Sequence, residues 1–354
     1  MVKISVLSAV VALASGAAAQ CGSGSPHARV TGSGSSFTAT KGSTNLYTGS
    51  DYRLAIQTAL DNISSGQRVA VIASGSIGAN TITISSGKIF EGCGTINTAL
   101  RNGRGAIEST DTTGVQIPYL TMTGNPYFGL RFSGTKDLTL GAITMNLSGG
   151  IGIRFDRDRA ANSNVKMGVI RVTGAGSHAV ETWNIDRLTI DQVIARNCGE
   201  SGLLIQKTTN ARVGLVDGNN IGAGTGYGTL RFANNNGQLS NGAYTTNIFI
   251  DKVVSRGGGR GIFCVSQSGA AEIGSIDLAN NGNNAILIEN CYNVNIKSGT
   301  VNGGGPVRLA ARSEFPNNRD ITINIRVDGT QVQENPCGQN IKWTLSGNGQ
   351  RSIC

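Results

Sequence analysis

The feature that most constrains this chain is a four-residue pattern, small–apolar–x–apolar, that recurs eight times, each time behind a turn. The series is Gly129-Leu130-Arg131-Phe132, Gly152-Ile153-Arg154-Phe155, Ala179-Val180-Glu181-Thr182, Gly202-Leu203-Leu204-Ile205, Thr229-Leu230-Arg231-Phe232, Gly261-Ile262-Phe263-Cys264, Ala285-Ile286-Leu287-Ile288 and, less cleanly, Val307-Arg308-Leu309. The first seven are spaced by 23, 27, 23, 27, 32 and 24 residues. Between them lies a second unit, two apolar–x–apolar triplets separated by two residues, as in Leu138-Thr139-Leu140 with Ile143-Thr144-Met145.

Period-2 alternation means strand, and three short strands per coil of roughly 24 residues cannot bury their inner faces alone. Stacked as coils they bury one continuous column. The expected fold is therefore all-β: a single right-handed parallel β-helix with three parallel sheets. Leu130, Ile153, Val180, Leu203, Leu230, Ile262 and Ile286 should stack in one interior column. Asn146, Asn197, Asn219, Asn280 and Asn302 recur near the ends of the second unit and suggest side-chain ladders at the turns. A sandwich of antiparallel hairpins would show no such fixed repeat. Fifty-one glycines, six prolines and 14% charged residues fit many tight turns and little helix.

A solenoid must hide its ends. Residues 1–19 read as a signal peptide, with Lys3, an apolar stretch and Ala17-Ala18-Ala19, so the protein is expected to be secreted. Residues 20–68 form an N-terminal segment in which Ser50-Asp51 caps an amphipathic helix running to about Asn62. Residues 69–327 form the β-helix and 328–354 a C-terminal tail. Of seven cysteines, Cys337 is expected to pair with Cys354 and Cys21 with Cys93; the odd number leaves at least one unpaired unless it bonds a second chain. Asn62-Ile63-Ser64 and Asn146-Leu147-Ser148 are glycosylation sequons.

These coils resemble the pectin-lyase-like superfamily of right-handed parallel β-helix proteins over roughly Val69 to Val327. The resemblance implies action on polysaccharides, mostly uronate-rich. It also implies, for lyases of this fold, an Arg or Lys that removes the C5 proton of a uronate. The polygalacturonase series of N-T-D, D-D, G-H-G and R-I-K motifs is missing: Asn184-Ile185-Asp186 and Ser177-His178-Ala179 are poor echoes, and no Asp-Asp pair occurs. The aspartate cluster of a pectate lyase is not evident either.

With the repeats in register, the outward residues form columns. The small residues Gly129, Gly152, Ala179, Gly202 and Gly261 would floor a groove, or merely satisfy the turns. Beside them run Arg131, Arg154, Glu181, Arg231 and Arg308, then Asp156, Trp183, Gln206 and Glu289. Arg154, Asp156, His178 and Glu181 are the candidate catalytic residues. Arg131, Asp158, Trp183, Lys207, Arg231, Arg260 and Glu289 are candidates for substrate binding. Asp156 and Glu181 could be a glycosidase pair; the competing reading makes Arg131, Arg154 and Glu181 a surface ion-pair ladder. Phe155-Asp156-Arg157-Asp158-Arg159 could hold Ca²⁺ or be a solvated loop, and no metal ligand is assigned.

The formal charge of +9 favours an acidic partner. The reading is a monomer that acts on an acidic polysaccharide, with no nucleic-acid or membrane partner. The leading function is a lyase cleaving a uronate-containing chain by β-elimination. The alternatives are a glycoside hydrolase using Asp156 and Glu181, and a non-catalytic glycan-binding β-helix.

Overall fold

The short strands of the repeat each pair in parallel with the equivalent strand one coil on, as period-2 segments at a 24-residue repeat require. The computed structural model describes residues 20–354, so the expected signal peptide lies outside the described residues. Leu130 pairs with Ile153, Ile153 with Val180, Val180 with Leu203, Leu203 with Leu230, Leu230 with Ile262, and Ile262 with Ile286. All seven side chains are buried, as the repeat requires. A second inward column, Phe132, Phe155, Thr182, Ile205, Phe232, Cys264, Ile288 and Leu309, is buried beside them.

Two sheets, not three, carry these coils. A 12-stranded sheet contains the short strands and a 17-stranded sheet most of the rest. The two triplets of the second unit lie on one long strand, such as Thr139–Leu147 or Asn162–Thr173. Each long strand turns a corner where two successive residues leave the core: Gly141-Ala142 between buried Leu140 and Ile143, and Gly168-Val169 between Met167 and Ile170. The ladder of hydrogen bonds runs through the corner, which is why the expected second and third sheets merge. A Cβ at Gly141 would fall 2.2 Å from the Pro118 carbonyl oxygen of the coil before, so the corner there needs glycine.

Asparagine and aspartate are frequent because many turns place a residue at positive φ, where their side chains are tolerated best. Asn197, Asn220, Asn280 and Asn290 all have φ between 51° and 55°. The expected ladder is corrected at its one asparagine–asparagine step: Asn197 Oδ1 accepts from Asn220 Nδ2 at 2.9 Å, one residue past the expected Asn219.

The helix spans Tyr52–Asp61, and Asp51 caps it by accepting from the Leu54 N–H at 2.8 Å. Its buried side, Tyr52, Ala55, Ile56, Ala59 and Leu60, joins the solenoid core beside an antiparallel meander of strands Ala28–Ser33, Ser36–Lys41 and Thr44–Gly49. At the other end, strands Gln331–Glu334, Gln339–Ser346 and Gln350–Ser352 continue the parallel pairing. Disulfides join Cys21 to Cys93, Cys337 to Cys354 and Cys264 to Cys291; Cys198 is free and buried.

Candidate active site

The outward position of the short-strand sheet reads Glu108, Arg131, Arg154, Glu181, Leu204, Arg231, Phe263, Leu287 and Arg308 on successive coils. Neighbours in this column are about 4.8 Å apart along the solenoid axis, so its opposite charges bond to one another, and Asp156 bridges the adjacent Arg131 and Arg154. Arg104 Nη2 lies 2.6 Å from Glu108 Oε2, and Arg131 Nη1 is 3.2 Å from Glu108 Oε1. Arg131 also grips Asp156 through Nη2 at 2.8 Å and Nε at 3.0 Å. Arg154 donates through Nη1 to Glu181. Burial alone would lower the Arg131 pKa; Asp156 and Glu108 outweigh it and hold the guanidinium above its ordinary value. This upstream half is an ion-pair ladder whose carboxylates are all buried.

Glu181 has no free acceptor oxygen in this arrangement. Its Oε1 accepts from the Trp183 indole and the Gln206 amide, each at 2.9 Å, and its Oε2 from Arg154. Trp183 is 8% exposed, with the Arg157 guanidinium 5.7 Å from its ring centroid. Asp158 stands out in the following loop, paired only with neighbouring Arg157. The small-residue column does not floor a groove. Cβ atoms at Gly129, Gly152 and Gly261 would meet Met145, Val172 and Leu278, all members of the core. Those residues are small because the carbonyl oxygen of the next coil, 2.4–2.6 Å from where the Cβ would stand, and then long-strand side chains fill the space.

His178 is buried in the turn before its strand. Its Nδ1 accepts from the Ser201 N–H at 3.0 Å, which leaves the proton on Nε2, 3.0 Å from Glu200 Oε2. Ser177 Oγ bonds the same Glu200 oxygen. The hydrogen bond from His178 is the main reason the Glu200 carboxyl is held below its ordinary pKa. The Tyr227 ring packs edge-on against His178, centroids 5.4 Å apart.

Downstream the carboxylates stop and two arginines share one ring. Arg231 lies 4.6 Å from the Tyr227 centroid and 5.1 Å from that of Phe263; Arg260 lies 4.4 Å from the Phe263 centroid. Neither guanidinium has a carboxylate within ion-pair distance among the described residues. Burial pushes the Arg231 pKa down, and its Nε is buried without a hydrogen-bond partner. Burial lowers Arg260 as well, against the attraction of Glu289 and helped by repulsion from Arg231. Arg260 Nε donates to Asn284 Oδ1 at 3.2 Å. Glu289 is taken by Arg312 at 2.8 Å, and Lys207 is exposed in the turn after its strand.

The structure therefore brings Arg131, Arg154, Asp156, Glu181 and Trp183 into one network and sets Arg231 with Arg260 in another. Asp158, Lys207 and Glu289 join neither through a direct bond. Sequence reasoning missed Glu108, Glu200 and Tyr227. Glu108 escaped because its coil, Ala106-Ile107-Glu108-Ser109, ends in a buried serine where the pattern has an apolar residue; Ser109 Oγ bonds the Ile84 carbonyl instead. Glu200 and Tyr227 lie in turns that carry no repeat.

Three metal-ligating side chains converge among the described residues only at Cys21, Glu91 and Cys93, where the two sulfurs form a disulfide. Asp156 is occupied by arginines and Asp158 points elsewhere along an exposed loop, so Asp156-x-Asp158 does not fit a Ca²⁺ site. No helix among the described residues is long and apolar enough to cross a membrane.

The stacked parallel strands define the fold class: the chain is a right-handed parallel β-helix. Among solved structures it is similar to the A-module of the mannuronan C-5 epimerase AlgE4 from Azotobacter vinelandii, at 14% identity and TM-score 0.54, covering 86% of this chain and 96% of that one. It is also similar to a family 28 exopolygalacturonase from Yersinia enterocolitica, at 10% identity and TM-score 0.37, covering 90% of this chain and 82% of that one. No protein-family model and no curated protein sequence matches the chain.

Proposed function

We propose that this protein is an extracellular lyase that cleaves a uronate-containing polysaccharide by β-elimination, with the reacting sugar at Arg231. Arg231 is the observation that carries the reading. A guanidine removes a proton only where its pKa is depressed or water is kept away. Arg231 is partly buried, lacks a carboxylate partner and has its pKa lowered by desolvation. Arg131, by contrast, is locked into its cationic form by Asp156 and Glu108.

In the proposed step, neutral Arg231 takes the proton from C5, the carbon next to the uronate carboxylate. The C5–H electron pair becomes the C4=C5 double bond as the C4–O bond breaks, and the departing oxygen takes a proton from water. Arg260, beside the same Phe263 ring, binds the carboxylate and offsets the charge that builds up on it. The three disulfides support a location outside the cell. The net charge of +9 favours an anionic polymer.

The hydrolase reading gains nothing from the same geometry. A glycosidase needs one carboxyl carrying a proton and one free to attack or activate water. Asp156 and Glu181 spend their oxygens on Arg131, Arg154, Trp183 and Gln206. The test is to incubate the protein with polygalacturonate and with alginate and to identify the products. Oligomers ending in an unsaturated uronate support the lyase. Saturated oligomers overturn it in favour of a hydrolase, and intact chains with inverted C5 overturn it in favour of an epimerase.

A further inference from the structure

Five large apolar side chains are exposed among the described residues: Leu54, Ile72, Leu100, Tyr127 and Ile353. Two of the five, Leu100 and Tyr127, meet at the rim of the short-strand sheet. With Phe128, Ile151, Arg154 and Ser177 they line a cleft of about 560 Å³. Tyr127 is 41% exposed and its ring stands edge-on to Phe128, centroids 4.6 Å apart. The Arg131 and Arg154 guanidinium groups each lie 5.7 Å from the Phe128 centroid. Arg154 also lines the cleft; its buried Nε makes no hydrogen bond but lies 3.7 Å from Asp156 Oδ1.

We infer that this cleft is a sugar-binding subsite that grips the polysaccharide away from the point of cleavage. A pyranose offers an apolar C–H face and a polar edge. Tyr127 and Leu100 present apolar surface to the first, while Arg154, whose Nη1 goes to Glu181, lines the cleft with a guanidinium that can donate to the second. Of the aromatic residues on this face, Trp183 is covered and bonded through its N–H, so Tyr127 takes the stacking role that an outward tryptophan would otherwise fill.

Position supports the assignment. The turns are in register, with Ser177 N bonding the Gly150 carbonyl and Glu200 N bonding the Ser177 carbonyl. The cleft ends at Gly176-Ser177, and the turn of Tyr227 lies two coils further on, about 10 Å along the axis. A chain lying along the solenoid with one sugar at Arg231 would lay further sugars into the cleft. This subsite rests on the acidic-polysaccharide reading above and extends it: the protein binds a polymer over several sugars instead of a single terminal residue.

The test measures affinity for polygalacturonate and for alginate in wild type, Tyr127→Ala, Tyr127→Phe and Leu100→Ser, by calorimetry and by steady-state kinetics on whichever polymer is turned over. Tyr127 and Leu100 are exposed, so their replacement leaves the fold intact, and circular dichroism verifies that. Tyr127→Ala is expected to weaken binding roughly three- to tenfold, to raise KM with kcat unchanged, and to be restored by Tyr127→Phe. Leu100→Ser should weaken binding in the same sense. If Tyr127→Ala and Leu100→Ser bind the polymer as wild type does, the subsite is overturned while the lyase reading stands. If wild type binds neither polymer, both fall together.

Discussion

The indole Nε1 of Trp183 donates to Glu181 Oε1 at 2.9 Å from two residues further along the same strand. Residues two apart share a face of the sheet, so this bond anchors both side chains against the surface. It fixes Glu181 as an acceptor for the indole, for Gln206 and for Arg154, and it turns the tryptophan edge away from any ligand. The strongest candidate for a catalytic carboxylate and the obvious sugar platform are thus joined to each other.

Glu181→Gln and Asp156→Asn should therefore lower stability while sparing turnover. Each removes one carboxylate from a partly buried guanidinium, and a hydrogen bond to a charged group contributes about 1.5–3 kcal/mol. Thermal denaturation should show a lower midpoint for both variants. Activity measured well below that midpoint should stay within a few-fold of wild type. A loss of turnover with an unchanged midpoint would return these residues to the catalytic role.

The interior column was legible because seven coils repeat one pattern, and alternation assigns each side chain a face. What the pattern could not supply is the partner of each outward charge. Arg131 and Arg231 occupy equivalent positions in two repeats, yet one meets Glu108 and Asp156 while the other meets Tyr227 and Phe263. That difference arises from turns of unequal length, which bring Glu200 and Tyr227 to the face and have no periodicity. The merging of two expected sheets has a similar origin: a two-residue spacer reads as a turn, but it bends a strand without breaking its ladder.

The lysine variant gives a pH signature. As the proposed base, Arg231 would act only when neutral, so kcat should climb with pH through the alkaline range toward its lowered pKa. Arg231→Lys places an amine of ordinary pKa about 10.4 at the site, and burial would lower it further. The rising limb of the pH–rate profile should move to lower pH. An unchanged limb would mean that another group carries the titration.

Glu200 should shape acid stability. Its folded-state pKa is lowered by His178 and Ser177, so its contribution is present above the unfolded carboxyl pKa of about 4.3. It is lost as pH falls through the lower folded value. Glu200→Gln should reduce the urea midpoint at pH 7 and leave it nearly unchanged at the acid end. Parallel pH profiles for wild type and variant would contradict the His178–Glu200 bond.

Salt should separate the two arginine groups. Binding of an anionic polymer should weaken as salt rises through about 0.1 M, where the Debye length is about 10 Å. Arg260→Gln should weaken binding and flatten that dependence, because Arg260 has no carboxylate within ion-pair distance among the described residues. Arg131→Gln should alter stability more than the salt slope. Equal effects of the two on the slope would show that the ladder faces substrate as well.

Formation of the unsaturated uronate, followed by ultraviolet absorbance alongside reducing ends, tests the central claim most directly. Wild type on an acidic polymer should release both signals in step. Arg231→Gln should slow both by about 10²–10⁴-fold, the usual cost of losing a proton-transfer group. Reducing ends without the chromophore, or an Arg231→Gln variant that keeps near wild-type rates, would contradict elimination at Arg231.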